Sequence, residues 1–542
     1  MVNLVFFFSL IVAGVVISKV YNTVLAYRTK KILSAQWGLL SENQLDIESA
    51  KLLFTLKEKR LSELSYALDD NTWTDLDMDA FFKTIDRSVT PIGAQCLYTI
   101  LRQPLLSQNE LHEREKLISA FSNNKLLREN VQMALAPLSK LYVKYLVYSL
   151  YTPPPLKPKY AFIFYWLSAF ALWLLLLAIL GFTHWGFTFL IFTLHSVIVF
   201  IYRKRLRQFL ATFQYLNVLI KAAIKISNIL KSDMPEIIGD LIANLKHTRS
   251  ISYNIFSLQL GEDNPVAAYF NIYLLSQITG FYSALNKIKS NIESLQKLFE
   301  TIGYLDAMIS VASYRKQFPK FCHPTFNTNT NKFELTEIYH PLLSNPISND
   351  FSFESRNILI TGSNMSGKST FLKTIGVNAV MAQSFNMSTS KKYDAPFLRV
   401  ISSIERSENL LAGKSYYMTE VESILRIIEG SQTKDVHLFI VDEIFRGTNS
   451  VERTAASIEV LKYLSNEKDF VILATHDLQL TAVLQNSYKN FHFREEMTET
   501  GLHFDYKLHK GTTTSKNAIA LLEYVGYPKS IVDGARLLVE KN

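Results

Sequence analysis

The sequence predicts three kinds of structure in one chain of 542 residues: an α/β domain with a parallel sheet, an all-α region and transmembrane helices. In the C-terminal part, short apolar runs alternate with helical segments, and each run ends in polar residues. Residues 203–316 carry apolar side chains at helical spacing, and residues 160–201 contain no Asp, Glu, Lys or Arg. A chain of this length exceeds one ordinary core, so we expect two or three domains.

The apolar run 358–361 is followed directly by a glycine-rich loop. Gly362, Gly367, Lys368 and Ser369 fit the pattern Gly-x-x-x-x-Gly-Lys-Ser/Thr. In such a loop the backbone N–H groups and the N-terminus of the next helix face phosphate oxygens, the lysine adds a positive charge, and the serine hydroxyl binds Mg²⁺. A chance glycine turn would not need a strand before it and a helix after it. The loop therefore predicts a bound nucleoside triphosphate with Mg²⁺.

Two further apolar runs end in residues suited to phosphoryl transfer. Residues 438–441 lead into Asp442 and Glu443, and residues 470–474 lead into Thr475 and His476. Because ligand sites of open parallel sheets lie at the carboxyl ends of the strands, we expect these side chains at the same nucleotide. Asp442 is predicted to hold Mg²⁺, Glu443 to polarise the attacking water, and His476 to contact the γ-phosphate region.

These motifs resemble those of the MutS family of mismatch-repair ATPases. An Asn-Met pair within the nucleotide loop is distinctive of that family, and the sequence has it at Asn364 and Met365. The other similar segments are the Walker B strand and its following loop (442–450), the histidine switch (474–481), the signature segment (415–420) and the start of the helical core (90–105).

The resemblance implies an ATP hydrolase that works as a homodimer with two composite sites. In that family the signature segment reaches the nucleotide of the opposite subunit, which assigns this role to Ser415, and lever helices transmit the ATP state to a DNA clamp. The predicted site residues are Glu443, His476 and Lys368 for catalysis, Ser369 and Asp442 for the metal, and Gly362, Ser363, Asn364, Met365, Ser366, Gly367, Lys368, Ser369, Thr370 and Ser415 for the nucleotide.

Two departures from the family pattern limit what carries over. The first sixty-odd residues are too few for the mismatch-reading and connector domains of MutS. An aliphatic residue near Ile347 stands where relatives have the aromatic that stacks on adenine. We therefore do not expect mismatch recognition, and the base preference stays open.

The charge-free stretch predicts two membrane helices, over 160–180 and 186–202, joined by a tight hairpin. About 20 apolar residues cross a bilayer, and this stretch is about twice that long with a break at 181–186. Basic residues flank both ends, which predicts that both ends lie in the cytosol. The alternative, a helical hairpin inside a protein core, seldom lacks charge over such a length.

Residues 4–18 form another apolar stretch, which we interpret as a signal anchor. A cleaved signal peptide is the alternative, but no basic segment precedes the stretch and export would remove the ATPase from ATP. Basic residues after it predict that its C-terminal side is cytosolic. Three spans then give a multi-pass membrane protein, of the bacterial inner membrane, with a cytoplasmic ATPase domain.

The charge balance follows from this topology. The chain has 57 basic and 48 acidic residues, a net charge of +9. Nine basic side chains lie beside the predicted membrane segments, at Arg28, Lys30, Lys31, Lys157, Lys159, Arg203, Lys204, Arg205 and Arg207. Topology and lipid contact therefore explain the excess, which is not evidence of nucleic-acid binding. Two cysteines, Cys96 and Cys322, lack partners at metal-binding spacing and indicate buried cytosolic thiols.

These landmarks predict five regions: an anchor (1–31), a linker and first part of the helical core (32–155), a membrane hairpin (156–207), the lever helices of the core (208–329) and the ATPase domain with a helical tail (330–542). Two functions remain open. One is a membrane-tethered ATPase that binds DNA, and the other is an ATP-driven membrane switch that acts on a protein partner without DNA.

Overall fold

The chain folds into two compact units, which are described separately. The helical unit comprises Met1–Leu61, Ile85–Thr99 and Leu117–Gln317, and the sheet unit comprises Ser62–Thr84, Ile100–Lys116 and Phe318–Asn542. The sheet unit thus includes two segments that the sequence-based boundaries assign to the helical core. The computed structural model describes residues 2–40, 45–61, 66–139, 143–152, 158–231, 235–259, 265–318, 320–327, 332–353, 357–363, 365–404, 416–445, 449–465, 468–498, 501–512 and 518–541.

Helices dominate the described residues before position 318, as the apolar spacing predicts. They are α1 (Val2–Ala35), α2 (Ile47–Leu61), α3 (Asp70–Asp75), α4 (Met78–Ile85), α5 (Pro91–Arg102), α6 (Gln108–Asn123), α7 (Lys125–Leu135), α8 (Lys144–Tyr151), α9 (Phe162–Ile179), α10 (Trp185–Leu230), α11 (Pro235–Gln259), α12 (Pro265–Tyr273), α13 (Ser276–Ser290) and α14 (Ile292–Arg315), with short 3₁₀ turns at Ala136–Leu138 and Lys159–Ala161.

The N-terminal helix differs from its prediction. The anchor stretch 4–18 lies within α1, whose side chains at 2–15 and 18 are outside the described residues. The predicted linker that begins at residue 32 is helical at 32–35 and 47–61. Helix α1 ends at Ala35, a turn with Gly38 at a φ of 85° follows, and α2 covers only Ile47–Leu61.

Two stretches among the described residues are long and apolar enough to cross a membrane. Lys159–Ile179 has a mean hydropathy of 2.3 and Trp185–Tyr202 of 1.8, and only 22% and 11% of their most apolar windows are buried within the chain. The predicted second span ends at 202, but its helix does not. Helix α10 continues without a break to Leu230, a length of 46 residues and about 69 Å.

A buried carboxylate caps helix α5 in the helical unit. Asp306 of α14 is fully buried and accepts hydrogen bonds from the N–H groups of Val89 and Thr90, at 3.0 and 2.8 Å, and from the Thr90 hydroxyl at 2.7 Å. Burial raises the pKa of Asp306 to about 7. A Cβ at Gly93 would lie 2.3 Å from Asp306 Oδ2, so this close approach requires glycine. The Thr-x-x-Gly turn therefore fastens α5 to α14.

The described residues of the sheet unit after position 318 form ten strands and six further helices. The strands are β1 (Thr325–Phe326), β2 (Phe333–Ile338), β3 (Asn349–Phe353), β4 (Asn357–Thr361), β5 (Lys392–Ala395), β6 (Arg399–Ser403), β7 (His437–Asp442), β8 (Phe470–Ala474), β9 (Lys489–Thr498) and β10 (Gly501–Lys510), and the helices are α15 (Lys368–Phe385), α16 (Tyr416–Ser431), α17 (Ser450–Leu464), α18 (Leu478–Val483), α19 (Ala518–Val525) and α20 (Lys529–Lys541).

The main sheet has the strand order β10-β9-β4-β8-β7-β6, and a smaller sheet has the order β1-β5-β2-β3. In the main sheet only the β10–β9 pair is antiparallel. Every residue of β4, β7 and β8 is buried, which explains their continuous apolar sequences. The three runs predicted from sequence are therefore adjacent parallel strands, and the predicted α/β fold is confirmed for this unit.

Side chains from the segment before α4 cover the edge strand β6. The Val400 N–H donates to the Tyr66 hydroxyl at 2.7 Å, and this hydroxyl donates to the Val400 carbonyl at 3.2 Å. Two residues along, the Ser402 N–H donates to Thr72 Oγ1 at 3.1 Å. These alternate positions carry the outward-facing polar groups that an edge strand leaves unpaired. Side chains thus replace a neighbouring strand.

The carboxylate of Asp75 completes this cover. Its Oδ2 accepts from the Ser402 hydroxyl at 2.7 Å and from the Ile404 N–H at 2.9 Å, and the side chain is buried. Arg426 of α16 donates both to the Ser402 carbonyl and to Asp69, the N-cap of α3. Helix α3 is thereby attached to β6 and to α16.

We expect Asp75→Ala to loosen this edge. The substitution leaves the Ser402 hydroxyl and the Ile404 N–H buried without an acceptor, a loss of about 3 kcal/mol. Hydrogen exchange of the full chain should show faster exchange at 400–404. Thr74→Ala, on the exposed side of the same helix, is the control and should exchange like the unaltered chain. Unchanged protection in Asp75→Ala would contradict the interpretation.

Candidate nucleotide site

The glycine-rich loop connects β4 to α15 at the carboxyl end of the sheet. Gly362 and Gly367 have φ values of 145° and 99°, a region that favours glycine. A Cβ at Gly362 would lie 2.8 Å from Ser366 Oγ and 3.1 Å from the Phe493 carbonyl oxygen. Helix α15 begins at Lys368, so Lys368, Ser369 and Thr370 form its first turn.

The lysine of the loop is buried, and its side chain folds back to contact the loop backbone. Lys368 Nζ donates to the carbonyl oxygens of Gly362, at 2.6 Å, and Ser363, at 2.7 Å. Among the described residues, the buried hydroxyl of Ser363 has no hydrogen-bond partner. Ser366 Oγ donates to the Ser363 carbonyl at 2.8 Å and so braces the loop. A glycine cradle, a buried ammonium group and an orphaned hydroxyl fit a phosphate group.

The two predicted metal ligands are in direct contact. The Ser369 hydroxyl, in the first turn of α15, donates a hydrogen bond to Asp442 Oδ2 at the end of β7. Asp442 is 6% exposed and Lys368 is 3% exposed, so both charges lie at the base of the site. One hydroxyl and one carboxylate oxygen are the donors that Mg²⁺ takes when phosphate and water complete its octahedron. The residues therefore fit Mg²⁺.

Glu443 and His476 form a second pair beside the first. Nδ1 of His476 and Oε1 of Glu443 lie 2.5 Å apart. The Glu443 N–H donates to the Ala474 carbonyl at 2.9 Å, which fastens the end of β7 to the end of β8. Glu443 has a φ of 63°, an uncommon conformation for a residue with a side chain. The carboxylate is 7% exposed and the imidazole 56%, so the histidine faces solvent.

The structure thus assembles Gly362, Ser363, Ser366, Gly367, Lys368, Ser369, Asp442, Glu443 and His476 at one edge of the sheet. The side chain of Met365 is 72% exposed and that of Thr370 also faces solvent, so neither contributes to the base of the site. Asn364 and Ser415 lie outside the described residues. His476 contacts Glu443 in this structure, a contact that the sequence did not predict.

An aromatic residue that the sequence analysis missed stands against the loop. Tyr506 lies on β10, and its Cδ1 would be 3.1 Å from a Cβ at Gly367. Strand β10 shifts register between Phe504 and Leu508, and Tyr506 has a φ of 52°. Asn349 fixes this bulge, because its Nδ2 donates to the Tyr506 carbonyl at 3.1 Å and its Oδ1 accepts from the Leu508 N–H at 2.8 Å.

The sequence of strand β10 gives no local indication that Tyr506 faces the loop. Residues 501–510 alternate as an ordinary strand does, and nothing local indicates the bulge that turns Tyr506 out of register. The ring is 43% exposed, and Ile347 is also half-exposed at 42%. Tyr506 thus places a partly exposed aromatic ring against the loop at Gly367.

Comparison with known proteins agrees with this geometry. Residues 358–541 match the model of MutS domain V. The chain is similar to the MutS family. It is 26% identical to the DNA mismatch repair protein MutS of Thermus thermophilus over 263 residues, 48% of this chain and 32% of that protein. It is 31% identical to the MutS protein homolog 4 of Homo sapiens over 270 residues, 46% of this chain and 28% of that protein.

A third MutS, from Natronomonas pharaonis, is 26% identical over 265 residues, 47% of this chain and 30% of that protein. The chain therefore spans about a third of the length of the curated relatives that it matches. The family model covers the main sheet except Asn357, the first residue of β4, together with the loop, Asp442, Glu443, His476 and Tyr506. The similarity thus includes every described residue of the candidate site.

We expect Tyr506→Ala to weaken ATP binding about tenfold, because the stacking of a base on an aromatic side chain contributes about 1–3 kcal/mol. Tyr506→Phe keeps the ring and should bind ATP like the unaltered protein. Equilibrium titration with a fluorescent ATP analogue measures both. Equal affinities for the alanine and phenylalanine variants would show that the ring does not contact the nucleotide.

Proposed function

We propose that this protein is a membrane-anchored, MutS-like ATPase that hydrolyses ATP at the carboxyl end of its main sheet. The observation that carries the proposal is the contact between Ser369 and Asp442 beside the pair of Glu443 and His476, all at a glycine-rich loop. The match to MutS domain V over 358–541 supports it independently.

Each residue of the site has a distinct task in this reaction. The N–H groups of the loop and the N-terminus of α15 bind the phosphates, and Lys368 leaves its two loop carbonyls to bind phosphate oxygen. Ser369 and Asp442 would hold Mg²⁺, which supplies charge neutralisation at the phosphates when bound. Glu443 accepts a hydrogen bond from the attacking water, and His476 orients the Glu443 carboxylate.

The proposed active form is a homodimer with composite sites. It rests on the resemblance of 415–420 to the family's signature segment, which would bring Ser415 to the nucleotide of the partner subunit. Within the sheet unit, residues 416–420 of that segment form the start of α16, and this helix is attached through Arg426 to Asp69. A firm base for α16 is what a segment that must reach another subunit requires.

The membrane anchor is proposed from the exposure of the hairpin. Large apolar side chains along α9 and α10 face outward, and Trp166, Phe182 and Phe200 are each more than 70% exposed. A continuous exposed apolar surface of this kind is stable in hydrocarbon and not in water. With the ATPase domain on the cytoplasmic side, ATP is available to the site. The inner membrane of a bacterium remains the proposed location.

Two functions are proposed for ATP turnover, in order of preference. The first is DNA binding, supported by the names of the relatives, which are DNA mismatch repair proteins. The second is a conformational switch of the membrane segment acting on a protein partner. Helix α10 supports the second, because its apolar part Trp185–Tyr202 and its remaining turns to Leu230 form one helix with no hinge. Motion of the turns of α10 between Tyr202 and Leu230 would therefore move the hairpin.

The assignment of Glu443 predicts a trapped state. Glu443→Ala should lower the ATPase rate at least about a hundredfold, because a positioned general base contributes about 10²–10⁴, and should leave ATP binding intact. Turnover and nucleotide retention by purified protein in detergent measure the two effects. Glu459→Ala, an exposed carboxylate on α17, is the control. Turnover at the normal rate in Glu443→Ala would refute the role of Glu443.

The dependence of the ATPase rate on DNA distinguishes the two proposed functions. ATPase rate and DNA binding are measured on the detergent-solubilised chain with duplex, mismatched and branched DNA at two salt concentrations. A DNA clamp predicts a stimulation that falls as salt rises, because phosphate contacts release counterions. A substantial rate that is indifferent to every DNA would reject the clamp and favour the membrane switch.

A further inference from the structure

A second apolar segment of the helical unit packs against the hairpin. Residues 264–286 contain no Asp, Glu, Lys, Arg or His. They form α12 and most of α13, which the sequence analysis assigned to the lever helices. The segment is as long as a membrane span, but it is divided into two helices by a kink at Leu275, where φ is 48°.

The contacts of this segment define its depth along the hairpin. The Tyr273 hydroxyl donates to the Ala171 carbonyl at 3.1 Å, and Nδ1 of His195 lies 2.6 Å from the Tyr273 carbonyl oxygen. Ala171 is near the middle of the stretch Lys159–Ile179, and His195 is near the middle of Trp185–Tyr202. The kink therefore lies at the mid-depth of both candidate spans.

The other contacts give the segment its direction. Towards the hairpin turn, the ring centroids of Tyr269 and Phe192 are 6.0 Å apart. Towards the opposite end, the Tyr165 hydroxyl donates to the Thr279 carbonyl at 3.0 Å, and the rings of Phe164 and Tyr282 stack at 6.1 Å. Helix α12 thus lies along the distal half of the hairpin and α13 along the half that leads to its basic ends.

His195 explains how a broken helix is tolerated at this depth. Because α12 ends at Tyr273, the carbonyl of Tyr273 loses the donor that a continuing helix would supply. An unsatisfied carbonyl in hydrocarbon costs several kcal/mol, so irregular backbone there must be buried in protein and hydrogen-bonded. His195 is 1% exposed and donates from Nδ1 to this oxygen. An ionisable residue in the middle of a span thus has a structural task.

The outward face of α12 continues the apolar surface of the hairpin. Tyr269 and Phe270 are 63% and 55% exposed. Between α12 and the hairpin lies a cavity of about 450 Å³. It is lined by Leu175, Trp185, Thr188, Phe189, Phe192, Tyr269, Phe270 and Tyr273. Acyl chains of a bilayer fill such a cleft and cover both rings without the free-energy cost of exposing apolar surface to water.

We infer that α12 and the first turns of α13 are embedded in the bilayer, as a kinked segment fastened to the hairpin at mid-depth by Tyr273 and His195. The inference rests on the proposed membrane anchor. It makes the two hairpin helices and this segment a bundle of three packed elements, and it makes α13, which leads into α14, a direct extension of that bundle.

The test compares the surroundings of three exposed positions in the full chain, reconstituted in lipid vesicles. A nitroxide label is attached to a cysteine at Phe270, Phe189 or Leu126 in a Cys322→Ser background, where Cys96 is buried. Phe189 reports on the hairpin, and Leu126, 64% exposed on α7 of the same unit, reports on an aqueous surface. Collision rates with oxygen and with a water-soluble nickel chelate distinguish lipid from water.

We expect Phe270→Cys to collide preferentially with oxygen, as Phe189→Cys does, and Leu126→Cys to collide preferentially with nickel. A nickel preference at Phe270 together with an oxygen preference at Phe189 would overturn the embedded segment and leave the anchor intact. A nickel preference at both positions would overturn the anchor as well, so the two failures are distinguishable.

Variants of His195 test the fastening at the kink. His195→Gln retains a side-chain N–H donor, whereas His195→Phe retains only the bulk of the ring. With the label at Phe270, His195→Phe should shift the collision preference towards nickel and lower the midpoint of thermal unfolding in detergent, and His195→Gln should reverse part of both changes. Identical behaviour of the two variants would refute the role of the hydrogen bond.

Discussion

The parallel pairing of β4 with β8, and of β8 with β7, is the constraint on which the candidate site depends. Its register sets Ile360 against Ala474 and Ala474 against Asp442. Three chain segments that are far apart in sequence therefore end at the same level. The loop after β4, the carboxylates after β7 and the histidine after β8 meet because backbone hydrogen bonds, and not the side chains themselves, set their spacing.

The backbone also determines which conformations the site residues adopt. The Glu443 N–H is bonded to the Ala474 carbonyl and the Thr475 N–H to the Ile360 carbonyl, so the ladder continues past the strands into the site. This continuation holds Glu443 at its positive φ and brings its carboxylate to His476. An uncommon backbone conformation at a reactive carboxylate is maintained here by the hydrogen bonds of two neighbouring strands.

Unpaired backbone groups are satisfied by side chains in both units, in different surroundings. At the edge strand β6, the side chains of Tyr66, Thr72 and Asp75 take the place of a missing strand. At the kink after α12, His195 takes the place of a missing helical N–H. The physical demand is the same, because a buried carbonyl or N–H without a partner is costly, and more so where no water can reach it.

The sequence by itself determined the elements whose signals are local. These elements are the loop at 362–369, the apolar strands before Asp442 and Thr475, the charge-free hairpin and the helices of 203–316, and each is indicated by residues close together in the sequence. Tertiary structure alone decided the contact of His476 with Glu443, the bulge at Tyr506, the cover of β6 by residues 66–75 and the fastening of Tyr273 to His195. Each of these joins positions far apart along the chain, or depends on a strand partner, and no local pattern of residues encodes such a pairing.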